Sequence, residues 1–152
     1  MNFPNVFQAQ GAQDLVDRIE KLNVDSKAQW GKMNVSQMLA HCNVTYDMAF
    51  TDKYPRPNFL MRILLKLVVK NAVCGPNPYP KNGKTAPAFI ITGDRNFDDE
   101  KRLLVNHIKQ CVTLGPSHFD GKESLSFGKM TVDEWNTQFY KHLDHHLTQF
   151  AV

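Results

Sequence analysis

The stretch TVDEWNTQFYKHLDHHLTQF, residues 131–150, decides the fold class because it carries a full set of helix signals. Thr131 is a good N-cap, and Glu134 follows three residues later, which is the spacing of a capping box. We therefore predict a helix from Val132 to about Phe150. Its apolar side is formed by residues three or four apart: Val132, Trp135, Phe139, Leu143, Leu147 and Phe150. This helix is expected to pack that face against a core of other helices.

Similar signals occur at three earlier places in the chain. Apolar residues at helical spacing predict a short amphipathic helix over Ala12–Leu22. Asn34 and Gln37 have capping-box spacing ahead of a second helix, Val35 to about Phe50. A third helix is expected from about Phe97, where acidic residues fill the first turn, to a Gly-Pro pair. No convincing pair of strands accompanies them, so an all-α bundle of four main helices is expected.

A very apolar segment, Phe59–Val73, lies between the second and third of these helices. Its charges, Arg62, Lys66 and Lys70, fall at every fourth position and form one narrow stripe. The segment is shorter than the ~20 residues that a membrane span needs. We predict an extra, well-buried helix with one wet edge. The alternative is a dimer face or a membrane-surface helix with basic residues on its polar side.

Composition narrows the class of protein further. The 152 residues, 42% of them hydrophobic, exclude intrinsic disorder and predict a single domain over residues 1–152. The net charge is only +3 and the positive residues are scattered, which argues against a dedicated nucleic-acid binder. Three widely spaced cysteines argue against a disulfide framework, although two of them could pair. The first residues do not resemble a secretory signal, so a cytoplasmic protein is expected.

Three of the six histidines fall close together near the end of the last helix. At about 100° per residue, His142 and His146 lie roughly 40° apart on one face, with Cβ atoms about 5–6 Å apart. His145 lies about 60° from His142 on the far side, so it is expected to point toward solvent. Asp144 lies about 160° from His146 and is not expected to be a ligand. His41 lies at the edge of the apolar stripe of its own helix. If the two helices are neighbours, three imidazoles can meet in one groove.

Three protein nitrogens leave a fourth position open, which is typical of a catalytic rather than a structural zinc site. Imidazole also suits nickel, copper and iron, so the ligand types alone do not select the metal. The residue after His142 is Leu143 rather than Glu, so the HExxH protease motif is absent. The alternative is that these are solvated histidines near a helix end. His107 is expected to be satisfied within its helix, and His118 is expected to lie in a loop.

Several segments together resemble a branch of the DinB/YfiT-like superfamily. They are Met38–Cys42, the apolar helix with its Pro-rich loop, Phe127–Trp135 and Tyr140–Phe150. Members of this branch are mainly bacterial proteins of unknown function, and the resemblance covers nearly the whole chain. It implies a DinB-like four-helix bundle with up-down-down-up topology. Here the bundle would carry the extra apolar helix and long loops.

The resemblance also implies a metal site with one histidine from the second helix and an HxxxH pair from the last. These residues are His41, His142 and His146 here, holding a divalent ion such as zinc, nickel, manganese or iron. Relatives transfer low-molecular-weight thiols or isomerise maleylpyruvate with a thiol cofactor. We therefore expect a metal-dependent enzyme acting on a small-molecule substrate, either a thiol S-transferase or a hydrolase. Such a protein can form a homodimer. The alternatives are a non-catalytic, stress-related metal- or ligand-binding module and an assembly protein.

Two further expectations concern the site. The long loops Gly75–Pro87 and Ser117–Lys129 are expected to line the substrate pocket, whereas Tyr46, Trp135 and Phe139 are expected to belong to the core. The three histidines must be neutral to bind metal. Metal affinity is therefore expected to fall as the pH drops below about 6.5.

Overall fold

Helices dominate the computed structural model, which describes residues 3–152. In chain order the helices are α1 (Ala9–Glu20), α2 (Val35–Phe50), α3 (Phe59–Leu64), α4 (Lys70–Cys74), α5 (Phe97–Leu114), α6 (Pro116–Phe119) and α7 (Val132–Gln149). A π-helical turn, Leu65–Val69, joins α3 to α4, and a 3-10 turn covers Pro87–Phe89. Strands β1 (Glu123–Ser124) and β2 (Gly128–Lys129) form a small antiparallel hairpin. The prediction of a mainly helical fold is confirmed.

Both predicted capping boxes form, and they fix where α2 and α7 begin. The Asn34 side chain accepts a hydrogen bond from the Gln37 N–H (2.8 Å), and the Gln37 side chain accepts one from the Asn34 N–H (3.2 Å). Thr131 and Glu134 make the same reciprocal pair at 3.2 and 3.0 Å. Because each box satisfies two backbone donors locally, the sequence alone could place the starts of these helices.

The four long helices pack as neighbours in the cyclic order α1, α5, α2, α7. Their directions follow from the residues that touch across each interface. Helices α2 and α5 run in the same direction, because Asn43 meets Glu100 and Asp47 meets His107. Helices α2 and α7 are antiparallel, because His41 meets His146 and Tyr46 meets Phe139. The α1 region and α7 run in the same direction, because Val6 meets Asn136 and Arg18 meets Asp144. Helices α1 and α7 therefore run one way, and α2 and α5 run the other.

The core lies between these four helices and is rich in aromatic rings. Tyr46, Trp135 and Phe139 are buried there, as expected, and Tyr46 stacks on Phe139 with ring centroids 4.8 Å apart. Fully burying the Phe139 side chain contributes about 1.5–3 kcal/mol. Cys42 and Cys111 are buried and Cys74 is partly buried. All three are free thiols in residues 3–152.

The apolar segment differs from the prediction: a well-buried helix with one wet edge is wrong for Phe59–Val73. Its large apolar side chains point away from the body and are 41–77% exposed: Phe59, Leu60, Met61, Ile63, Leu64, Leu67 and Val68. Two cations of the charged stripe, Arg62 and Lys70, instead turn inward together with the partly buried Leu65, Val69 and Val73, whereas Lys66 stays exposed. Arg62 pairs with Glu123 (2.7 Å) and Lys70 pairs with Glu134 (2.7 Å). No helix within residues 3–152 combines the length and the hydropathy required to cross a membrane.

The π-helical turn explains how the two cations reach the same side. In a regular α-helix each step of four residues moves a side chain about 40° around the axis. Arg62 and Lys70 are two such steps apart, so they would point in directions about 80° apart. A π turn holds more residues per turn, which reduces this drift. Both side chains then face the body, where the carboxylates of β1 and α7 neutralise them. Glu123 is 61 residues from Arg62, so local periodicity could not reveal which side is buried.

Lys141 on α7 provides a third attachment for this segment. Its side chain is almost fully buried, at 3% exposed, and burial lowers the pKa of its ammonium group. The Nζ atom donates to the carbonyls of Ala72 (2.8 Å), Gly75 (2.7 Å) and Asn77 (3.1 Å). An ammonium group has three N–H donors, so all are used. Lys141 thus caps the C-terminal end of α4 and ties the following loop to α7.

We expect Lys141→Met to lower the free energy of unfolding by about 2–4 kcal/mol, because it leaves three carbonyls without their charged donor. Urea denaturation followed by circular dichroism measures this change. Lys109→Met on an exposed part of α5 is the matched control and should cost under about 0.5 kcal/mol. Equal losses in the two variants would show that the Lys141 contacts do not stabilise the fold.

Candidate metal centre

His41 on α2 meets His142 and His146 on α7 at the interface between these helices. One ring nitrogen of each residue lies within 4.8 Å of the other two. The Nε2 atoms of His41 and His142 are 3.0 Å apart. In a tetrahedral site with bonds of about 2.0–2.1 Å, two ligand nitrogens are about 3.3–3.4 Å apart. The predicted convergence of three imidazoles is confirmed, and their spacing is close to what one metal ion requires.

The outer nitrogens of two rings are held by acceptors that fix the tautomer. His41 Nδ1 lies 2.8 Å from the carbonyl oxygen of Phe89, which can only accept, so Nδ1 carries the hydrogen. His146 Nδ1 lies 2.8 Å from Oε1 of Gln149. The Gln149 amide is oriented by its own NH₂ group, which donates to the Trp30 carbonyl at 2.6 Å. Both histidines therefore keep the lone pair on Nε2.

His142 completes this pattern. Its Nδ1 lies 2.9 Å from the hydroxyl oxygen of Thr45, which can accept a hydrogen bond from it. With Nδ1 protonated, the Nε2 lone pairs of His142 and His41 face one another at 3.0 Å. Two such lone pairs repel unless a proton or a cation lies between them. The donor set and its hydrogen bonds therefore fit a divalent metal ion, since metal-bound histidines commonly donate their other N–H in this way.

The electrostatic environment keeps these rings neutral. His41 and His146 are buried, at 5% and 8% exposed, and His142 is partly exposed. Desolvation lowers the pKa of all three, and the neighbouring histidines lower the pKa of His142 and His146 further. The pKa of His146 falls to about 3. The expected loss of metal affinity below about pH 6.5 is therefore corrected: the neutral, ligating form persists to lower pH.

Two other polar residues of α7 lie beside the cluster without joining it. His145 was expected to point toward solvent, but it is half-buried, because its ring packs edge-on against Trp30 (5.8 Å) and Tyr79 (5.7 Å). Asp144, which was not expected to be a ligand, lies outside the group of three histidines. Its carboxylate pairs with Arg18 at 2.6 Å and helps to hold α1 against α7.

The remaining histidines lie elsewhere. His107 is a satisfied histidine within a helix, α5, as predicted: its Nδ1 lies 3.2 Å from the side-chain oxygen of Asn43 on α2, whose NH₂ group donates to Glu100. His118 lies in the short helix α6 rather than in a loop, and it accepts a hydrogen bond from Lys122 (3.1 Å).

The loops contribute differently from the prediction. Tyr79 comes from the Pro-rich loop Gly75–Pro87, and its ring packs edge-on to His142 (6.3 Å). Phe89 follows that loop, and its ring also packs against His142 (5.8 Å). The second loop, Ser117–Lys129, is not an irregular loop, because it contains α6 and the β1–β2 hairpin.

The sequence pattern did not identify the residues that orient the rings. Gln149 lies three residues after His146, and Thr45 lies four after His41, so helical spacing could have drawn attention to both. Phe89 gave no such signal, because it acts through its backbone carbonyl and is 48 residues from His41.

We expect the stability of the metal-free protein to fall as the pH drops below about 6.5. His146 has a pKa of about 3 when folded and about 6.5 when unfolded, so between these values the unfolded chain binds more protons. This residue alone should contribute a slope of roughly 1.4 kcal/mol per pH unit. Urea unfolding in EDTA between pH 7 and 4 should show a shallower slope for His146→Gln. The control, His118→Gln, should follow the wild type, and identical slopes for all three proteins would disprove this role of His146.

Comparison with known proteins gives one result. Residues 3–152 match the family model described as a protein of unknown function, DUF1569. No curated protein and no solved structure matches the chain. The family description names no activity, so the functional argument depends on the geometry of the three histidines. Because the match covers all but the first two residues, this chain belongs to the DUF1569 family of proteins of unknown function.

Proposed function

We propose that this protein is a divalent-metal-dependent enzyme of the DinB/YfiT-like type, with His41, His142 and His146 as the metal ligands. The proposal depends on one observation, the convergence of three neutral imidazoles within 4.8 Å. An all-imidazole donor set suits zinc, nickel, copper or iron better than manganese, which prefers oxygen ligands. Zinc, nickel and iron are therefore the first ions to test.

The arrangement of the helices supports the DinB-like assignment. In chain order the long helices α1, α2, α5 and α7 run up, down, down and up, as the residue pairs at their interfaces indicate. One ligand lies on the second long helix and two lie on the last. Both features agree with what the sequence resemblance implies.

A divalent ion at these ligands would act as a Lewis acid and lower the pKa of a water or thiol bound to it. Three protein ligands leave a coordination position for that molecule. The task of the chain is to orient the rings, through Phe89, Thr45 and Gln149, with their nitrogens already close together. We propose a thiol S-transferase or a hydrolase acting on a small molecule, with a low-molecular-weight thiol as the candidate co-substrate.

A second candidate function is a non-catalytic metal- or ligand-binding module. The observation in its favour is that two aromatic rings lie over His142, the only one of the three proposed ligands that is partly exposed. Tyr79 and Phe89 both pack edge-on against its ring. A substrate must pass these rings to reach the centre, whereas a sequestered ion needs no such access.

Metal analysis tests the ligand set. Protein purified without a His-tag, stripped and titrated with zinc or nickel in a calorimeter, should bind one ion per chain. His41→Ala and His142→Ala should each weaken binding by at least about 100-fold, because even the hydrogen-bond partners of ligands affect affinity by 10–100-fold. His118→Ala and His145→Ala should bind as the wild type does. Unchanged affinity in both ligand variants would refute the site.

Turnover distinguishes the two candidate functions. Metal-loaded protein should conjugate a low-molecular-weight thiol to a model electrophile, or hydrolyse an activated ester. Its rate should be at least tenfold above that of both metal-stripped protein and His142→Ala. Firmly bound metal without turnover across thiols and electrophiles would contradict the enzyme and favour the binding module.

A further inference from the structure

An exposed apolar surface lies on the side of the protein formed by α3 and the π-helical turn. We call it the apolar face, and it consists of Phe59, Leu60, Met61, Ile63, Leu64, Leu67 and Val68. These side chains are 41–77% exposed and fall within one helical segment, residues 59–68. A group of large exposed apolar side chains on one segment is typical of an interaction site, whereas single exposed ones are not.

The apolar face is held outward by specific contacts. Arg62 and Lys70 anchor the opposite side of the segment through Glu123 and Glu134, and Lys141 caps its end. The segment is thus fixed to the body by its two inward cations and by the partly buried Leu65, Val69 and Val73, while its exposed apolar side faces water. No local unfolding is needed to present this surface.

Charge is distributed unevenly along the chain. The stretch Lys53–Gly93, which contains the apolar face, has seven Lys and Arg residues and no Asp or Glu. The chain has 18 Lys and Arg and 15 Asp and Glu in total, so the remainder has 11 basic residues and all 15 acidic ones. One part of the chain is therefore basic, and the rest carries a net negative charge. Such asymmetry between segments is a signal of interaction with an anionic surface.

Basic side chains border the apolar face. Lys66 is exposed and lies on the same segment. Arg56 is also exposed, and it lies next to Arg62 because both bind the carboxylate of Glu123, at 2.9 and 2.7 Å. Two cations sharing one carboxylate leave a net positive charge at this edge. The surface thus combines an apolar centre with a cationic border.

We propose that the apolar face docks onto the surface of an anionic lipid bilayer. The helical segment would lie in the plane of the membrane, as interfacial amphipathic helices do, with its apolar side chains about 5–10 Å deep. Lys66 and Arg56 would contact the anionic headgroups. A second copy of the chain fits less well. A two-fold contact places the same patch on both sides, and here that brings the unpaired Lys66 and the net positive Arg56–Arg62–Glu123 group of one copy toward those of the other.

Vesicle flotation tests this proposal with the full chain. Large unilamellar vesicles of phosphatidylcholine and phosphatidylglycerol in equal parts should bind the protein at least tenfold more strongly than pure phosphatidylcholine vesicles. High salt should weaken the binding. Leu67→Glu should reduce partitioning at least tenfold. Lys66→Gln should reduce it about fivefold, which corresponds to about 1 kcal/mol per cation at the membrane surface.

Val24→Glu is the matched control, because Val24 is 66% exposed and lies outside the apolar face. It should bind vesicles as the wild type does. Circular dichroism should show that all variants are folded, since the substituted side chains face solvent. No partitioning of the wild type into anionic vesicles would overturn the proposal, as would equal binding by Leu67→Glu. A wild-type dimer that does not partition, and that Leu67→Glu dissociates in sedimentation, would overturn it in favour of a second copy.

Discussion

Two imidazole nitrogens held 3.0 Å apart at the interface of two helices are the constraint on which the site depends. Nδ1 of His41 donates to a backbone carbonyl, so its Nε2 lone pair faces Nε2 of His142. Either a hydrogen on His142 Nε2, with the Thr45 hydroxyl donating to Nδ1, or a metal ion bound by both nitrogens satisfies this pair. The stacking of Tyr46 on Phe139 fixes the separation of α2 and α7 one to two turns away, and so fixes the spacing of the rings. Core packing and the chemistry of the site are thus set by the same interface.

The parts of the site that arise from local sequence were predictable. Capping boxes fix the starts of α2 and α7, and a period of 3.6 residues places His142 and His146 on one face. Contacts between distant segments were not predictable in the same way. The carbonyl of Phe89 meets His41 across 48 residues, and the carbonyl of Trp30 orients Gln149 across 119 residues. Neither contact leaves a trace in residue type, because each is made by the backbone.

The apolar segment shows a different limit of periodicity. The pattern places Arg62, Lys66 and Lys70 on one stripe, but it does not state which side is buried. Here the acidic partners Glu123 and Glu134 and the π-helical turn bring Arg62 and Lys70 toward the body beside Leu65, Val69 and Val73, whereas Lys66 stays exposed. Lys141 strengthens that orientation with three hydrogen bonds to backbone carbonyls. Because Lys141 directly precedes His142 of the candidate metal centre on α7, the attachment of this segment and that centre are built on the same turn of helix.

The most direct test of the central claim is X-ray absorption spectroscopy at the zinc edge, on protein loaded with one equivalent of zinc. The account predicts three imidazole nitrogens at about 2.0–2.1 Å, with the multiple-scattering pattern of histidine rings, and one further light atom. A sulfur shell at about 2.3 Å, or fewer than three imidazoles, would contradict it.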